Sequence, residues 1–229
     1  MLLDRLFKFI RTEEAPLNPV LSGYFCKLLT LLINRKQKQV ITYIFSVESD
    51  VLDCLLRHLY QKSISEVLNK LLNIVDTNFD GDLATQIQEK KQKVLSELIE
   101  KLQGDRQDEE NMNASAIICE LMEVKQYYSM LSRKANLTKF TGIAFSETGS
   151  TESKQECLTL LQKFVQQFKD KQTSGDDNSS LNAGDDDDDI IINEASDEEN
   201  NAAKDKADAI VVEILAGMIE PLKRHMEQK

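Results

Sequence analysis

The chain has 229 residues, 41% apolar and 29% charged, with eight Gly, three Pro and no Trp. That is long enough for a substantial core, and the composition favours helix over sheet. Eleven acidic residues and no Lys or Arg lie between Gly175 and Asn200, which equals the whole net charge of −11; the remainder is neutral overall and gives nucleic-acid binding no support.

In chain order, Leu2 to Ile10 reads as a short amphipathic helix, with Leu2, Leu3, Leu6, Phe7 and Ile10 available for packing. It carries Asp4 and lacks a small-residue cleavage site, so it does not read as a signal peptide. After Pro16, Asn18 is placed to cap a helix whose first residue is Pro19. Val20, Leu21, Tyr24, Phe25, Leu28, Leu29 and Leu32 follow at helical spacing. Cys26, Leu31 and Ile33 widen the face, so burial on more than one side is expected. A short segment near Gln37 to Phe45 presents Val40, Ile41 and Ile44.

Ser49 or Asp50 can cap the next helix, which carries Val51, Leu52, Leu55, Leu56 and Leu59. Ser63 and Glu66 form a capping-box pattern ahead of Val67, Leu68, Leu71, Leu72 and Val75. A helix over about Leu83 to Gln103 turns Ile87, Val94, Leu95, Leu98, Ile99 and Leu102 inward, with Glu97 and Lys101 paired outside. Another starts near Asn111 or Asn113 and runs loosely toward Leu131. Ala135 to Thr151 reads as loop, and Ser153 with Glu156 boxes the start of the helix bearing Leu158, Leu161, Phe164, Val165 and Phe168.

The pattern predicts an all-α chain, an α-solenoid of stacked helix pairs like HEAT or armadillo repeats, interrupted by a disordered acidic insertion. Residues 1–171 form the helical-repeat domain, 172–201 the acidic linker, and 202–229 a C-terminal helix that packs on the solenoid, kinked at Pro221. Cys26, Cys54, Cys119 and Cys157 lie in apolar helical patterns without a CxxC, as reduced thiols do. With no apolar run of about 20 residues, a cytoplasmic or nuclear location is expected, without membrane or nucleic-acid partners.

Few groups suggest chemistry. Asp76, Asn78, Asp80, Gly81 and Leu83 imitate an EF-hand loop, but Ile87 stands where a bidentate Glu is required, so a solvated turn is expected. Cys54 and His58 share a helical face, yet no second ligand pair or triad accompanies them. No enzyme activity, metal or cofactor is expected. Ser196, followed by Asp197, Glu198 and Glu199, has the context that acidophilic kinases prefer and is a candidate phosphosite.

Three blocks of residues resemble the SAPS-domain family. The first is Leu6-Phe7-Lys8-Phe9, then Leu17-Asn18-Pro19-Val20-Leu21 with Tyr24, Phe25, Leu29, Leu32, Arg35 and Lys36. The second is Leu55-Leu56-Arg57-His58-Leu59 with Ser63-Ile64 and the leucines to Leu72. The third is Asn113-Ala114-Ser115 with Cys119-Glu120-Leu121. The similarity covers roughly Leu6 to Leu131. Family members carry a substantial portion before the first block, so the pattern is that of a partial or truncated member.

The resemblance implies a non-catalytic helical scaffold that binds the catalytic subunit of a protein phosphatase 6-type serine/threonine phosphatase, with further scaffold subunits as additional partners. Exposed residues at helix ends are the candidate contacts: Arg35, Lys36, Lys38, Arg57 and His58. The alternative is a helical-repeat adaptor or chaperone whose acidic tract binds basic partners.

Overall fold

A computed structural model describes residues 2–12, 16–75, 79, 81–103, 108–146 and 150–173. Among them every regular element is helical: α1 (Leu2–Phe7), α2 (Pro19–Phe45), α3 (Val51–Arg57), α4 (Lys62–Leu72), α5 (Gly81–Lys101), α6 (Asp108–Leu121), α7 (Lys125–Leu131), α8 (Lys134–Ala144) and α9 (Thr151–Thr173). The acidic linker beyond Thr173, the C-terminal helix, Ser196 and most of the EF-hand-like loop lie outside the described residues. The chain divides into two compact units, Met1–Leu121 with Thr148–Glu156, and Met122–Glu147 with Cys157–Lys229.

In the first unit, α2 begins as its local chemistry requires. Asn18 Oδ1 accepts from the Val20 and Leu21 amides at 3.0 and 3.2 Å, and Pro19 follows at the first helical position. Lys36 leaves helical geometry (φ −138°, ψ 43°), and the helix resumes to Phe45. The segment expected separately at Gln37 to Phe45 is thus the far side of a break in one helix. Its Val40, Ile41, Ile44 and Phe45 are buried.

Helix α2 packs on α3, α4 and α5, while α6 packs on α4 and α5. The N-terminal turn closes over it: Phe7 stacks on Tyr43 (centroids 5.5 Å apart) and meets Phe25 edge-on at 6.1 Å. Phe9 meets Phe25 at 5.5 Å. Helix α5 starts at Gly81, whose φ of +49° is a left-handed conformation that suits glycine. Ile87, Val94, Leu95, Leu98, Ile99 and Leu102 are all buried, as their spacing predicts. The full burial of Ile87 places a core residue at the position where a calcium ligand would have to reach out.

Several local expectations yield to longer-range partners. Asp50 occupies the N-cap position of α3 without capping it, because Arg11 holds its carboxylate (Nη2 to Oδ1, 2.8 Å); Ser49 Oγ takes the Val51 amide instead. Helix α4 starts at Lys62, so Ser63 lies inside it, and Gln61 donates to the Leu17 carbonyl at 3.2 Å. Lys101 pairs with the shielded Glu110 rather than Glu97, which sits 3.6 Å from Lys93. Asn111 and Asn113 are buried inside α6 rather than at its start. Asn113 Nδ2 donates to the carbonyls of Leu59 and Tyr60 at 2.8 and 3.3 Å, satisfying acceptors in the turn that follows α3. The N-terminus of α9 is capped by Ser150, whose Oγ accepts from the Ser153 amide at 3.1 Å; Ser153 does not cap.

In the second unit, α7 is separate from α6, and the stretch expected as loop after Ala135 contains α8. Leu137, Phe140 and Ala144 form its buried face. Phe140 stacks on Phe164 at 6.1 Å, and Tyr128 adds a tilted contact with Phe164 at 5.9 Å. These aromatic contacts supply the apolar area that a short helix needs to persist.

Candidate partner-binding surface

Helix α2 contains no Asp or Glu; its charges are Lys27, Arg35, Lys36 and Lys38, all exposed. Among the described residues none of the four enters an ion pair. Arg35, Lys36 and Lys38 cluster where the helix breaks, so the break presents three cations around one short stretch. Arg57 is exposed at the last position of α3, a separate element, where a cation opposes the helix dipole.

His58, expected with these as an exposed contact, is instead 1% exposed and serves the interior. Its Nε2 lies 3.0 Å from the Ile10 carbonyl and its Nδ1 lies 3.3 Å from Tyr60 Oη. A carbonyl only accepts, so Nε2 carries the proton and Nδ1 accepts from the Tyr60 hydroxyl. Tyr60 Oη in turn accepts from the Leu17 amide at 2.8 Å. His58 therefore fastens the N-terminal turn to the end of α3. Burial pushes its pKa below the ordinary value.

The same geometry separates His58 from Cys54. Both ring nitrogens are engaged elsewhere, and the Cys54 thiol contacts Asp50 Oδ2 at 3.7 Å. Burial also raises the Cys54 pKa and pushes that of Cys26 to about 12, which keeps both as thiols rather than nucleophilic thiolates. Among the described residues no group of three His, Cys, Asp or Glu side chains is placed to hold a metal ion, and no helix is long and apolar enough to cross a membrane.

Sequence reasoning missed how α2 divides. Only Ser22, Phe25, Cys26, Leu29 and Ile33 are buried along its first half. Val20, Leu21, Tyr24, Leu28 and Leu31 remain 46–65% exposed. At 100° per residue, positions 20, 24, 28, 31 and 35 fall within an arc of about 80°, roughly opposite the buried residues. An apolar stripe thus runs along the outer side of α2 and ends on Arg35. The signal in the sequence was an apolar pattern too wide for one face, in a helix with no acidic residue.

Residues 29–136 match the family described as SIT4 phosphatase-associated protein, SAPS. Serine/threonine-protein phosphatase 6 regulatory subunit 1 of Mus musculus is 31% identical over 126 residues, covering 55% of this chain and 14% of the relative. Regulatory subunit 3-A of Xenopus laevis is 27% identical with the same coverage. Regulatory subunit 2 of Homo sapiens is 28% identical over 124 residues, or 54% of this chain and 12% of the relative. The match thus spans about one-seventh or less of the length of these curated relatives. No solved structure matches the chain.

Proposed function

We propose, from the premise that residues 29–136 of this chain belong to the SAPS family, that it is a non-catalytic regulatory or scaffold subunit of a serine/threonine phosphatase. Its partner is a phosphatase 6-type catalytic subunit, which it holds and directs. The observation that carries this reading is the family match, together with relatives that are themselves regulatory subunits of phosphatase 6. The described residues support a positioning role in two ways: each unit is built of helices with buried apolar faces, and Cys26, Cys54 and His58, the groups best suited to chemistry, are buried in the first unit. In this reading the helix pairs stack as a solenoid within 1–171, and the exposed Arg35, Lys36, Lys38 and Arg57 contribute to the catalytic-subunit contact. Phosphorylation of Ser196 would add to the charge of the acidic tract. The buried thiols of Cys26 and Cys54, which form no disulfide, suit a cytoplasmic or nuclear setting.

Affinity purification of the tagged chain, followed by mass spectrometry, tests the proposal: a phosphatase 6-type catalytic subunit should co-purify. Recovery of no phosphatase catalytic subunit, while a full-length family member retains one, overturns it. The concentration of the whole net charge between Gly175 and Asn200 favours one rival reading, an adaptor whose acidic tract binds basic clients. Deleting 175–200 separates the two, since a phosphatase scaffold keeps its partner and an acidic-tract binder loses its clients.

A further inference from the structure

We infer that the outer stripe of α2 is a docking site for an acidic amphipathic helix of a partner protein. Val20, Tyr24, Leu28 and Leu31 succeed one another at helical spacing, and Leu21 broadens the row at its start. All are 46–65% exposed, so a contiguous apolar ridge of several turns faces water without covering any of the chain's own core. Single exposed leucines are ordinary on a protein surface, but a continuous ridge rimmed by polar residues marks an interaction site.

The rim specifies the ligand. Lys27 flanks the ridge, Arg35 continues it one turn beyond Leu31, and Lys36 and Lys38 follow at the helix break. The complete lack of acidic residues from Pro19 to Phe45 leaves these cations without partners on their own helix. A ligand that complements both features presents an apolar stripe at i, i+3, i+4 and i+7 spacing, with carboxylates beside it and at one end. A helix supplies that arrangement within a single segment. A polyanion alone would leave the ridge wet, and an uncharged apolar segment would leave the cations uncompensated.

The fold explains why the ridge is rigid enough for recognition. Asn18 and Pro19 set its first turn, and Phe25, Leu29 and Ile33 anchor the opposite side at 0–4% exposure. Docking therefore costs this side little ordering entropy. The inference does not depend on the phosphatase reading, because the chemistry of the ridge describes its ligand whichever protein carries it.

The test uses the full chain and two synthetic probes: a fluorescent amphipathic helix with Leu at i, i+3, i+4, i+7 and i+8 flanked by Glu, and a matched peptide with Lys in place of Glu. Fluorescence anisotropy should show the Glu peptide binding at least about tenfold more tightly than its Lys counterpart. Tyr24→Asp should weaken that binding by about tenfold or more, as loss of a central aromatic contact does. The triple variant Arg35→Glu, Lys36→Glu, Lys38→Glu should weaken it similarly and reduce its salt dependence. Circular dichroism should show unchanged helix content in both, since every substituted side chain is exposed.

Absence of binding by the Glu peptide overturns the inference, as does equal binding of the two peptides or binding unaffected by Tyr24→Asp. It is also overturned if sedimentation shows the unliganded chain to be a dimer that Tyr24→Asp disperses, because a second copy then occupies the ridge. Binding to phosphatidylserine vesicles that Tyr24→Asp abolishes, without peptide binding, assigns the ridge to a membrane surface instead. A catalytic subunit retained by a chain that binds neither peptide would leave the phosphatase proposal standing and remove this one.

Discussion

The two sides of α2 are built from the same kinds of residue and meet opposite fates. Phe25, Leu29 and Ile33 are 0–4% exposed beneath the N-terminal turn and the neighbouring helices, whereas Tyr24, Leu28 and Leu31, each beside a buried residue or one position removed, are 46–65% exposed. Side-chain hydrophobicity does not distinguish them. What differs is the surroundings: the inner side has α3, α4, α5, Phe7 and Phe9 against it, and the outer side has water. An apolar helical face therefore states a need for a partner without stating where that partner comes from.

Substitutions matched across the two sides make the contrast measurable. Phe25→Ala should cost about 3–5 kcal/mol by urea denaturation, through lost burial and the cavity left behind. An effect under about 1 kcal/mol would mean that the inner side is not a packed core, and the contrast would break.

A second substitution asks whether the N-terminal turn really closes the inner side. His58→Ala should cost about 2–4 kcal/mol, because it empties a buried position and leaves the Ile10 carbonyl without its donor. The pH dependence has a definite sign. Since the folded-state pKa of His58 is depressed, its neutral form is favoured by the fold. Its contribution is complete above the unfolded value near 6.5 and is lost as pH falls from there through the lower folded value. Wild type should thus lose stability on acidification over that window by more than the His58→Ala variant does.

Asn18→Ala, which removes the acceptor for two amides at the start of α2, should cost about 1 kcal/mol. The smallest effect belongs to the outer side: Tyr24→Ala and Leu31→Ala should each stay within about 0.5 kcal/mol of wild type. A loss as large as that of Phe25→Ala would show that the ridge is part of the core and remove the basis for docking on it.

Much of the helix content was legible in advance, for physical reasons that act within a few residues. The buried set of α5 follows from spacing alone, and the start of α2 from Asn18 and Pro19. Failures fell where local signals were weak or contested. Helix α8 has too thin an apolar face to announce itself, and it is held by Phe140 against Phe164. Asp50 was correctly placed before α3, yet Arg11, 39 residues away, claims its side chain. The candidate contacts divide similarly: Arg35, Lys36, Lys38 and Arg57 are exposed as their charge suggests, while His58 is not.

By itself, then, the sequence determined where α2 begins, that it carries two apolar sides, that it holds only positive charge, and which family its blocks resemble. Those properties depend on residue type and on neighbours within a turn or two. Only the tertiary structure decided which side is core and which is ridge, and that His58 ties down the N-terminal turn. Burial is a property of pairs: His58 meets Ile10 across 48 residues of chain, and no spacing rule within one helix encodes which distant segment will arrive to cover it.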